Sequence, residues 1–216
     1  MSTSGQPLRR DAARNRERIL AAARELFAER GLGATLNEIA RHAGVGVGTV
    51  YRRFPDKDAL IDSLFDDHLD AWQALFQEGL ADPDPWRAIV TVHERALELW
   101  ANDRAMKEIV LGSPHASVRS TRQRARLHPL AAALIERAQA AGEVRADATT
   151  QDFGVALVMI GAVMDAAEQV NPDVWRRYLR IVLQGLRPQG ADLEPLAIPA
   201  VAPEQMAELL LGIWTH

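Results

Sequence analysis

Apolar residues recur at helical spacing along most of this chain, and no stretch shows the strict alternation of a half-buried strand. An early stripe of Ile19, Leu20, Ala23, Leu26 and Phe27 stops at Gly31. Two much shorter stripes follow, over residues 35–43 and 47–54. From there the periods lengthen. A helix is expected over residues 56–80, with Leu60, Ile61, Leu64, Phe65, Leu69, Trp72, Leu75 and Phe76 on a broad apolar face. The residues 82–85 break it, and a second helix is expected over 85–101, burying Trp86, Ile89, Val90, His93, Leu97 and Trp100. A short helix carries Met106, Ile109, Val110 and Leu111, and a long one spans 116–141 with a kink expected at Pro129. Residues 153–164 are apolar almost all round, so both faces of that helix are expected to be covered. A helix over 172–186, a proline-bearing connector over 187–203 and an amphipathic helix over 203–214 complete an all-α reading.

The two short stripes carry the most information. Thr35 and Glu38 stand three apart, as a capping box requires, and Leu36, Ile39, Ala40 and Ala43 form the inward stripe. Gly44 ends the helix, because glycine takes left-handed dihedrals cheaply. In the next helix Val50 and Phe54 face inward at i and i+4, leaving Thr49, Tyr51, Arg52 and Arg53 outward, and Pro55 stops it. Asp56 then caps a new helix, with Lys57 in its first turn. A second helix this short suits insertion into the major groove of DNA. The glycines of GVGVG at 44–48 follow a helix rather than a strand, which argues against a nucleotide-cradling loop. A plain helical hairpin gives no purpose to a tyrosine beside two arginines.

The segment resembles the DNA-binding domain of the tetracycline-repressor (TetR) family. Thr35, Ile39, Ala40, Ala43, Gly44, Val45, Gly48, Thr49, Val50, Tyr51, Phe54, Lys57 and Leu60 carry the resemblance, and the helix ending at Gly31 extends it to about residues 14–61. Gly46 departs from the capping residue usual in the family, so a looser start of the second helix is expected. The resemblance implies a three-helix head over residues 14–58 and a helical ligand-binding and dimerisation domain over 59–216; residues 1–13 are polar, include Arg9 and Arg10, and are expected to be a disordered basic tail. On this reading Gly46, Val47, Gly48, Thr49, Tyr51, Arg52 and Arg53 face an inverted-repeat, double-stranded operator. Thr35, Tyr51 and Lys57 contact phosphates, and Arg52 reads a base edge, since guanidinium–guanine pairing is the commonest specific contact.

Net charge of -4 looks poor for a DNA binder until it is divided: residues 1–58 carry +4 and the remainder -8. That places the cationic field at one end of the chain. The absence of cysteine removes thiol nucleophiles, disulfides and Cys-based zinc sites. No apolar run approaches the length of a membrane span, and no secretory leader is visible, so a cytoplasmic protein is expected. Arg119, Arg122, Arg124 and Arg126 fall all round their helix and read as a solvated surface.

No catalytic motif, cofactor fingerprint or metal set is present; His68 and His93 lack a third ligand. The apolar inventory nominates Phe65, His68, Trp72, His93, Trp100, Met106 and Ile109 as the lining of a site for a small hydrophobic effector. The resemblance implies that such an effector, acyl, aromatic or drug-like, releases the operator. Phe153, Leu157, Gly161, Met164, Trp175, Leu179 and Val182, on two unusually apolar helices, are nominated as a homodimer interface. The reading is therefore a repressor; the alternatives are an effector-free architectural DNA binder and an enzyme on a helical scaffold.

Overall fold

The computed structural model describes residues 5–102, 105, 106, 109, 116–188, 196–202 and 205. Among them lie eight α-helices and no strand: α1 Gly5–Arg30, α2 Leu36–His42, α3 Val47–Arg53, α4 Lys57–Ala81, α5 Pro85–Asn102, α6 Ala116–Ala140, α7 Thr150–Ala167 and α8 Trp175–Gly185. They fall into two compact units whose boundary lies inside α4. The first takes the chain through His68 with the described residues between Asp103 and Ala116; the second takes Leu69–Asn102 and the described residues from Ser117 onward. The sequence had placed this division near residue 58, where α4 starts; α4 instead gives its first turns to the head. It had also expected a tail up to residue 13, but α1 is already helical at Gly5.

In the head, α1 packs on α2 and α2 on α3. Ile19, Leu20, Ala23, Leu26 and Phe27 of α1, Ile39 and Ala40 of α2, Val50 and Phe54, and Leu60, Ile61 and Leu64 of α4 are buried. Polar links fix the helices as well. Arg16 Nη2 donates to Ser63 Oγ at 2.7 Å and to Asp67 Oδ1 at 2.9 Å, and Arg24 reaches the other Asp67 oxygen at 3.4 Å. One carboxylate thus ties two turns of α1 to α4.

In the body, α5, α7 and α8 pack on one another. The stripe Trp175, Leu179 and Leu183 of α8 is buried, and Arg176 and Arg180 pair with Glu98 and Glu94 of α5 at 2.7 and 3.0 Å. Gly79 of α4 lies so close to α5 that a Cβ there would stand 2.5 Å from Val92 Cγ2. Arg137 of α6 donates to the carbonyls of Leu80 and Gly79 at 2.6 and 3.1 Å, satisfying acceptors that the end of α4 leaves open. α6 continues through Pro129.

One expectation fails in the body and another needs a partner chain to be judged. Arg119 is buried at 2% exposure, so the arginines of α6 are not one solvated surface; Arg126 pairs with Asp70 and Gln73. In α7 Phe153, Ala156, Ile160 and Gly161 are buried, Leu157, Val158, Val163 and Met164 are half-buried and Met159 is exposed, so one chain covers its second face only in part. That helix is also long and apolar enough by length and composition to cross a membrane, which the sequence reading had not anticipated. The helix expected over 203–214 lies outside the described residues; Leu196 and Ile198 of the connector before it are exposed.

Candidate nucleic-acid interface and body site

The head is built to hold α3 by its back. The capping box of α2 forms as the spacing requires: Glu38 N donates to Thr35 Oγ1 at 3.3 Å, while Thr35 N and Oγ1 donate to Glu38 Oε2 at 2.8 and 2.7 Å. These bonds hold the Glu38 carboxyl below the usual range, the Thr35 amide contributing most. α2 ends in a Schellman turn, with Val45 N on Ala40 O at 3.0 Å and Gly44 N on Arg41 O at 3.1 Å. Gly44 has φ +62°, the left-handed region that favours glycine. Arg18 of α1 then grips the turn, donating to the carbonyls of Ala43 at 2.6 Å and Gly44 at 3.1 Å. A turn held at four points fixes where α3 begins.

α3 starts at Gly46, whose carbonyl accepts from Thr49 N at 2.8 Å and which offers no side-chain cap, as the sequence implied. Only Val50 of α3 is buried. Val47 and Tyr51 are 44% and 47% exposed, and Arg52 and Arg53 are exposed too. Arg52 Nη2 donates to Thr49 Oγ1 at 3.3 Å, which restrains the guanidinium along the helix. Asp56 Oδ1 accepts from Ala59 N at 2.8 Å and starts α4.

Two of the nominated DNA contacts prove to have structural work. Lys57 Nζ donates to the Leu32 carbonyl and lies 5.7 Å from the Phe27 ring centroid, so its ammonium is turned into the head. The Thr35 hydroxyl is committed to the capping box. Sequence spacing marked Thr35 as a helix cap and Lys57 as a first-turn residue but could not show which way their polar atoms point.

The comparisons agree with this head and extend to the body. Residues 19–64 match the family model of bacterial regulatory proteins of the tetR family, and residues 84–188 match that of an SbtR-like transcriptional regulator C-terminal domain. A TetR transcription regulatory protein from Mycobacterium vanbaalenii is 33% identical, with 84% of this chain and 100% of that one covered and a TM-score of 0.63. The chain belongs to the TetR family. A TetR transcriptional regulator from Streptomyces coelicolor is 34% identical, covering 81% of this chain and 99% of its own at a TM-score of 0.61. An HTH-type transcriptional regulator of Staphylococcus aureus (strain USA300) is 39% identical over 72 residues; the match spans 33% of this chain and 39% of that relative's length. The chain is accordingly a DNA-binding transcriptional regulator, and family and fold are those of regulators rather than enzymes.

The residues nominated for an effector are nearly all inside, but distributed over both units. Phe65 and His68 stack in the head at 6.4 Å between centroids, and Met106 and Ile109 are buried in the same unit. Trp72 lies against Phe76 at 6.3 Å in the body. Trp100, half-buried, faces Gly161: a Cβ there would sit 3.5 Å from Trp100 Nε1. His93 packs on Phe153 at 5.4 Å and is 5% exposed. Its Nδ1 lies 2.7 Å from the Ile89 carbonyl. A carbonyl only accepts, so Nδ1 carries the hydrogen and Nε2 is a bare acceptor. That Nε2 is buried and makes no hydrogen bond of normal geometry among the described residues, although the Phe153 carbonyl also faces the ring. Burial holds the imidazole below its ordinary pKa, against the opposing pull of the Ile89 and Phe153 carbonyls.

The nominated dimer interface needs correcting. Phe153, Gly161, Trp175 and Leu179 are buried within a single chain, spent on the α5–α7–α8 core. Leu157, Met164 and Val182 are half-buried. The large apolar residues these helices expose are Met159, Tyr178 and Ile181. Four of the seven nominated residues thus belong to the core of one chain, because in an all-round apolar helix periodicity does not say which side meets the core.

Proposed function

We propose that this TetR-family regulator is a homodimeric repressor in the cytoplasm of a bacterial cell. It binds an inverted-repeat operator through α3 and releases it when a small, largely apolar effector enters the body. The observation that carries the DNA half is the outer face of α3, where Tyr51, Arg52 and Arg53 are exposed over a turn clamped by Arg18. Arg52 is the base-reading side chain and Tyr51 a phosphate contact. Thr35 and Lys57 act by holding α2 and α4 in place. Dimerisation through Met159, Tyr178 and Ile181 is supported by apolar surface that one chain leaves uncovered.

The effector half is supported by His93. A buried acceptor without a partner is costly, and a ligand bringing one O–H or N–H donor in an apolar frame relieves that cost. An anionic carboxylate at that position would set acceptor against acceptor. Release requires the effector to prefer the conformation that does not bind DNA. Coupling of ~1–3 kcal/mol would shift operator affinity about 5–150-fold.

The test is to select a binding site from random duplexes, then screen phenols, fatty alcohols and fatty acids by tryptophan fluorescence, with and without that duplex. Donor-bearing compounds should bind more weakly to the DNA complex, and His93→Phe should lose the preference for donors. Compounds that bind equally well in both states would overturn the repressor-and-effector reading and leave an architectural DNA binder.

A further inference from the structure

The recognition helix presents an apolar face that cationic recognition of phosphate does not explain. Val47 and Tyr51 stand at i and i+4, hence on one side of α3, and are 44% and 47% exposed. Val47 is flanked by Gly46 and Gly48, which carry no side chain, and a Cβ on Gly48 would meet nothing within 4 Å. The first turn of α3 therefore offers one short, branched, apolar side chain, with bare backbone on both sides. Val47 is only partly covered by the head, whose core takes Val50 as the one fully buried residue of this helix. Residues near the start of a recognition helix are those that approach base edges. The alkyl group that the major groove presents to such a side chain is the 5-methyl of thymine.

We propose that Val47 is a specificity-determining residue that reads a thymine methyl in each operator half-site. The glycines on either side let the backbone come close enough for that contact, and Arg52, held by Thr49, reads a neighbouring pair. The contact rests on the DNA-binding function of the family, not on the effector or on the sign of regulation.

The experiment uses the full chain and a duplex selected from a random pool. Each thymine is replaced in turn by 2′-deoxyuridine, which pairs with adenine identically and lacks only the methyl. Binding of the wild-type protein should weaken about four-fold at one or more thymines per half-site, the worth of one buried methyl-sized group. Val47→Ala should lose a similar factor on the thymine duplex and no longer distinguish thymine from uracil at those positions. It should keep its circular dichroism spectrum, since the residue is exposed. Selected sites without a sensitive thymine, or a Val47→Ala protein that discriminates as well as the wild type, would overturn the assignment. General failure to bind any selected duplex would instead strike the DNA-binding reading itself, so the two outcomes are separable.

Discussion

α3 in the head and α8 in the body each bury one stripe and leave the rest uncovered, and the residues they leave differ in kind. α3 buries Val50 and exposes Val47, Tyr51, Arg52 and Arg53. α8 buries Trp175, Leu179 and Leu183 and exposes Tyr178 and Ile181 beside Arg177 and Arg180. Among the described residues, two of the three arginines of α8 are already paired, Arg180 with Glu94 and Arg176 with Glu98, while Arg177 is not; in α3, Arg52 keeps only a bond to Thr49 and Arg53 forms no ion pair. Uncompensated cations suit a polyanion, and compensated cations around apolar residues suit a protein surface. The contrast is one of charge accounting more than of hydrophobicity.

The largest effect expected from breaking this contrast is at α8. Ile181→Asp should abolish self-association, because an unpaired carboxylate would have to be buried. Operator affinity should collapse with it, since two half-sites could no longer be held together. Sedimentation and a binding titration read both. A dimer with normal affinity would move the interface to another face. Leu179→Asp should instead unfold the body, and Gly161→Leu would press on Trp100 inside one chain, so neither isolates assembly.

Next in size is α3. Arg52→Ala should cost about 1–3 kcal/mol on the selected site and relax base preference there. Equal loss on specific and random duplexes would show that Arg52 touches phosphate only.

A smaller effect concerns the buried histidine. Its pKa is lowered in the folded chain, so the unfolded chain takes up the proton first as pH falls. Body stability is therefore fully present above the ordinary value of 6.5 and declines as pH drops below it. Thermal melts between neutral and mildly acidic pH should show this slope, and His93→Phe should flatten it. An unchanged slope in the variant would assign it to other groups. The smallest effect is at the uncapped start of α3. Gly46→Ser should stabilise the head by a few tenths of a kcal/mol, because a Cβ there has 3.7 Å to Thr49 Oγ1 and the serine hydroxyl can cap the helix. A lower melting temperature would mean that the added side chain disturbs the turn.

The amino-acid sequence by itself determined the head. Its capping box, its left-handed Gly44, its stop at Pro55 and the cap at Asp56 all depend on residues within a few positions of each other, and local backbone chemistry dictates them. The all-helical course of the body was equally legible from its apolar periods. Tertiary structure decided what those helices do with their faces. It turned Lys57 inward to Leu32, buried Arg119, spent Phe153 and Trp175 on the core of one chain, and left His93 Nε2 without a hydrogen bond among the described residues. Each of these depends on which distant helix arrives against a given side, and in a helix apolar all round, such as α7, nothing in the local pattern ranks one side above another.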